Sequence, residues 1–205
     1  MRLMLTRPMF PEGISTFLLA VAVVTCAGLS VQTADWTRVV IPIGLVALCA
    51  AIFGAVLAKV RVLDSLAHLL SILAGMALSF LAVAAQADTL GDRLQDRFRP
   101  IGNLVLDWYL GENVPAGTEA LLVSILMGIV VWLVGYLATW TLFRRGWIVV
   151  ALLLPGFLVL INLGYAPEPD RRYLAVYAAL CIPLIARFHL FVKQREWSRQ
   201  RLSGS

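Results

Sequence analysis

The chain has 205 residues, of which 60% are hydrophobic and 14% charged, with a formal net charge of +5. Soluble domains carry about 25% charged residues, and the mean hydropathy here is +0.86. The composition therefore excludes an ordinary soluble domain and points to a polypeptide embedded in lipid.

Six apolar runs set the organisation, at residues 14–31, 39–58, 63–85, 118–143, 147–164 and 173–192. Each is about 18 residues or longer, the length a helix needs to cover about 30 Å of hydrocarbon. Lipid cannot hydrogen-bond a backbone, and barrel strands need only about 10 residues. The predicted fold is thus all-α: a polytopic membrane bundle of six transmembrane helices in one membrane domain over residues 1–205. Arg2 and Arg7 ahead of the first run resemble the start of a signal peptide. No clean small-x-small site follows, so the run reads as a retained helix. Residues 32–38, 59–62, 144–146 and 165–172 are short connections, which makes consecutive helices antiparallel neighbours. Pro167 and Pro169 stiffen the last of these, and Asp170 is placed to cap the sixth helix. Pro155 and Pro183 fall inside spans, where kinks are tolerated in a membrane bundle.

The connection at 88–117 is different. Leu90, Leu94, Phe98, Ile101, Val105 and Trp108 recur at helical spacing, and Thr89 followed by Asp92 resembles a capping start. The segment 89–110 reads as an amphipathic interfacial helical segment on the outer surface, between helices 3 and 4. Pro100 is expected to split it in two. Leu94, Phe98, Val105 and Trp108 form the candidate interaction surface, facing lipid or the bundle. Asp92, Asp96 and Arg97 are expected to face water or a partner. The segment is either a dock or lid for a partner, or a plain cover over the bundle.

Charge gives the orientation. The termini and alternate loops hold eleven Lys/Arg and three Asp/Glu, whereas the other loops hold six and nine. Positive loops stay cytoplasmic, so both termini are predicted inside, in the cytoplasmic (inner) membrane of a bacterium. Topogenesis and anionic inner-leaflet lipid account for the pI of about 9.5, and no nucleic-acid partner is expected.

Catalytic chemistry is not expected. Cys26, Cys49 and Cys181 lie apart, deep in apolar runs, where thiols pack as small hydrophobes. His68 follows Asp64 by four residues and is expected to be satisfied by that carboxylate or by headgroups. His189 lies near the inner end of the sixth helix. Neither histidine belongs to a ligand cluster, and no metal or cofactor is expected. Small residues mark helix contacts instead: Ala50, Gly54 and Ala58 in the second helix, and Ala67, Ser71, Gly75 and Ser79 in the third. Trp132, Tyr136 and Trp140 form an aromatic stripe in the fourth. The candidate helix-packing set is Gly54, Gly75, Trp132, Tyr136, Trp140 and Asn162.

From the fourth helix onward the runs Trp132-Leu-Val-Gly-Tyr136-Leu-Ala-Thr-Trp140, Phe143-Arg144-Arg145, Leu154-Pro155-Gly156, Ile161-Asn162-Leu163-Gly164-Tyr165-Ala166-Pro167 and Ala186-Arg187-Phe188-His189-Leu190 stand out. They resemble the amino-terminal transmembrane region of bacterial transmembrane transglutaminase-like proteins. The resemblance covers nearly the whole chain, more weakly over the first three helices. It implies a further helix and an extracytoplasmic domain with a Cys-His-Asp triad, both beyond Ser205, so no catalytic residue carries over. The expected role is a non-catalytic integral-membrane domain that anchors or regulates such a domain, with lipid and the tethered domain as partners. An accessory subunit of a respiratory or photosynthetic membrane complex is the alternative, and a small transporter comes third.

Overall fold

The computed structural model describes residues 11–34, 36, 41–86, 93–111, 118–166 and 169–203. Among them are seven helices and no strand: α1 (Ile14–Gln32), α2 (Ile43–Lys59), α3 (Asp64–Gln86), α4 (Leu94–Leu110), α5 (Glu119–Arg145), α6 (Ile148–Tyr165) and α7 (Arg172–Ser203). Five of these, α1, α3, α5, α6 and α7, are long and apolar enough to cross a membrane. Length and apolarity of these helices point to a multi-pass membrane protein. α2 is equally apolar but shorter, at 17 residues.

α2 and α5 make the most extensive contact. α1 packs on the other side of α2, α3 packs on α5, α6 fills the space beside α1 and α5, and α7 lies on α1 and α6. Ala47, Ala50, Ala51 and Ala55 of α2 are fully buried. The small-residue rows explain how the backbones come so close. A Cβ added at Gly54 would stand 2.5 Å from the Tyr136 carbonyl oxygen and would also strike the Thr139 hydroxyl. Ala67, Ser71, Gly75 and Ser79 are all buried on α3, and a Cβ at Gly75 would meet the Trp132 indole. In lipid no hydrophobic force drives helices together, so contact of this closeness supplies the attraction.

The helix ends follow local chemistry. α5 stops at Gly146 in the left-handed region (φ 74°). The Gly146 N–H donates to Leu142 O and the Trp147 N–H to Thr141 O, an ending with a left-handed residue that glycine adopts without strain. It reverses the chain into α6 within two residues. The Asp170 carboxylate accepts from the Arg172 N–H at 2.9 Å and so opens α7. α7 continues well past residue 192 to Ser203, because its polar tail holds helix formers and no glycine before 204.

Two expectations for the outer segment are corrected. Pro100 does not divide it, since α4 runs unbroken through that residue. The Pro100 ring denies a donor only to the Asp96 carbonyl, and exposed Asp96 stands where water can reach it. Arg97 does not face water. It is buried, and its guanidinium donates to Ala84 O at 3.1 Å and Ala85 O at 3.3 Å. These carbonyls lie in the last turn of α3, which is left without intrahelical donors and carries negative partial charge. Thr89, Leu90 and Asp92 lie outside the described residues.

Candidate functional site

Several polar side chains inside the bundle join one helix to another, while Thr139 and Thr141 bond back to carbonyls of their own helix. On the α3–α5 contact, the Trp132 indole N–H donates to Ser71 O at 2.8 Å and reaches Ser71 Oγ at 3.1 Å. One turn further, Tyr136 Oη and His68 Nδ1 stand 3.0 Å apart. The His68 ring also lies 4.6 Å from the Trp140 ring, between centroids. His68 was expected to pair with Asp64 or with headgroups; it turns instead to the aromatic stripe of α5. The reason is competition: two arginines already hold Asp64.

Those arginines form the basic end of the bundle. Asp64 Oδ1 accepts from Arg144 Nε at 3.2 Å and Nη2 at 3.0 Å, while Oδ2 accepts from Arg145 Nη2 at 2.7 Å. Arg144 Nη1 and Nη2 also reach the carbonyls of Ala58, Val60 and Val62. One guanidinium thereby ties the α2–α3 connection to the end of α5. Beside it, Lys59 Nζ lies 2.8 Å from both Glu12 carboxylate oxygens, a pair only 15% and 10% exposed. The Lys59 ammonium also stands 5.3 Å from the centre of the Phe143 ring.

At the opposite end, α6 is joined to α1 without charge. The Asn162 amide donates to Ser30 O at 2.5 Å and Ser30 Oγ at 2.9 Å, and its Oδ1 accepts from the Trp36 indole N–H at 2.6 Å. α6 is so joined to α1 and to the connection after it. Asn162 is 4% exposed, so each of these bonds replaces an otherwise unsatisfied polar atom.

The candidate surface on α4 divides. Val105 is half-buried against the bundle, but Phe98 is 40% and Trp108 60% exposed. The residues that seat α4 are Arg97, Ile101 and Leu104, all buried. The side chain of Leu94 lies outside the described residues. The seating face is thus rotated from the apolar stripe, toward the side on which Arg97 can reach the end of α3. Periodicity alone ranks an arginine as polar-out, which is why the sequence reading missed it. The spacing of Arg97, Ile101 and Leu104 at steps of 4 and 3 was the available signal.

Comparison with protein-family models, curated proteins and solved structures gives no significant match. The transglutaminase-like resemblance accordingly rests on the residues themselves. The cysteines are less separate than their sequence positions suggest. Cys26 and Cys181 share one packed cluster, with Tyr177 in it, and Cys49 belongs to another. Among the described residues, His, Cys, Asp and Glu form no group of three that could hold a metal ion.

Proposed function

We propose that this chain is a non-catalytic integral-membrane domain of a transglutaminase-like protein, a rigid anchor for a domain outside a bacterial inner membrane. In this reading α1, α2, α3, α5, α6 and α7 cross the bilayer, α4 lies on its outer surface, and both ends of the chain are cytoplasmic. The observation that carries the anchoring role is where the resembling residues lie. Trp132, Tyr136, Arg144 and Arg145 bond α5 to α3, and Asn162 bonds α6 to α1, and this fits a pattern that serves rigidity. The charge asymmetry supports the orientation. At 1.5 Å per residue α2 measures about 26 Å, a little under the hydrocarbon thickness. Cover from α1, α3 and α5 makes the shortfall tolerable.

Isolation from native membranes in mild detergent tests the anchor. A transglutaminase-like domain should be recovered, on the same polypeptide or in fixed ratio with it. A monodisperse product without such a domain overturns the reading, and stoichiometric respiratory or photosynthetic subunits would install the accessory-subunit alternative. The orientation is tested separately, in a background lacking the native cysteines. Cysteine at position 145 should be shielded from an impermeant thiol reagent in intact cells, and cysteine at exposed Tyr109 should be labelled.

A further inference from the structure

The basic end of the bundle contains a cleft of about 380 Å³ between the start of α1, the end of α5 and α7. Its polar wall includes Arg144, Arg145 and Arg195, and its apolar wall includes Phe143, Phe188 and Phe191. The acids that also line it, Glu12 and Glu196, are each held by a lysine: Lys59 at 2.8 Å and Lys193 at 3.3 Å. The three arginines are not equivalent. Arg144 directs every nitrogen of its guanidinium to Asp64 or to a carbonyl and is a structural strap. Among the described residues, Arg145 gives one nitrogen to Asp64 and is otherwise committed only to the face of Trp140. Among the described residues Arg195 takes part in no ion pair, and it is exposed. Two guanidiniums with uncommitted donors therefore border a cleft whose floor is aromatic.

We propose that this cleft binds the phosphodiester headgroup of an anionic phospholipid, with Arg145 and Arg195 as the recognising residues. A guanidinium fork matches two phosphate oxygens, and basic clefts between transmembrane helices are suited to such headgroups. The depth is appropriate. α5 ends at Arg145 and α6 begins at Ile148, where apolar helix gives way to polar chain. The phenylalanines give the glycerol and upper acyl carbons a dry contact that a free phosphate would not need. Leu190, 55% exposed beside Phe191 on a smaller adjoining cleft, extends that apolar surface along α7. The proposal rests on the membrane reading alone and is independent of any transglutaminase-like partner.

The test uses the full chain in a neutral detergent, with lipid retention counted by native mass spectrometry beside thermal melting. The probes are phosphatidylglycerol, phosphatidylcholine of the same acyl chains, and inorganic phosphate. Phosphatidylglycerol should be retained about tenfold better than phosphatidylcholine and should raise the melting temperature, and inorganic phosphate should do neither. R145Q/R195Q should remove about tenfold of the phosphatidylglycerol affinity. R195Q alone, which breaks no bond among the described residues, should remove part of it, and R99Q on α4 should leave it unchanged. Equal retention of the two lipids, undiminished binding in both R195Q and R145Q/R195Q, or an equal thermal shift with inorganic phosphate alone would each overturn the proposal.

Discussion

The two ends of the bundle are held together by different physics. At one end Glu12 with Lys59, and Asp64 with Arg144 and Arg145, join α1, α2, α3 and α5 through charge. At the other, Asn162, Ser30 and Trp36 join α6 to α1 through neutral hydrogen bonds, and the buried guanidinium of Arg97 bonds to carbonyl oxygens. Charge can be screened by salt, whereas a buried amide cannot. The comparison teaches that the end with the denser charge is the one whose cohesion depends on its surroundings.

Glu12→Gln should have the largest effect. It removes the carboxylate charge 2.8 Å from the nearly buried Lys59 ammonium, and removing one partner of such a pair costs about 3–5 kcal/mol. Snorkelling by the lysine stem lowers this toward about 2 kcal/mol. Reversible unfolding in mixed micelles measures the loss, and a loss below about 0.5 kcal/mol would show that the pair is ornamental. Asn162→Leu comes next at about 1–3 kcal/mol, because it orphans the Trp36 indole and the Ser30 hydroxyl. This loss should be the same at low and high salt, and a strong salt dependence would break the contrast between the ends.

Asp64→Asn should cost about 1 kcal/mol, since its carboxylate is about one-third exposed and pairs at that depth are weak. Here the difference from wild type should shrink as salt rises. The smallest effect on the whole bundle is expected on α4. Ile101→Asp should release the helix from α3, read as protease cleavage in residues 87–117. Phe98→Asp should leave it seated, because Phe98 is outside the contact. Equal protection of both variants would show that Ile101 does not seat the helix.

The helices were legible because length and hydropathy are strong local signals in lipid. The apolar runs at 14–31, 63–85, 118–143 and 147–164 end within two residues of α1, α3, α5 and α6. The small rows of α2 and α3 were equally plain, since a four-residue repeat of Ala, Ser and Gly has few other uses in a membrane helix. The partners of the polar residues were not legible. That His68 turns to Tyr136 rather than Asp64 is decided by Arg144 and Arg145, about 80 residues away in sequence. Arg97 misled for the opposite reason: its residue type signals solvent, and only the nearby end of α3 makes burial favourable. The far end of α7 was underestimated because hydropathy marks where lipid stops, and a helix can go on in water.

That last helix has a geometric consequence. At 1.5 Å per residue its 32 residues reach about 48 Å, well beyond the roughly 30 Å of hydrocarbon. The excess is a stiff rod with a fixed angular phase, so Phe191 and Arg195 share one side only because they are four positions apart. Deleting Gln194 would swing Arg195 about 100° around the axis and carry it off the cleft with its charge intact. α7 thus behaves as a dial, in which angle rather than composition decides what its arginine can touch.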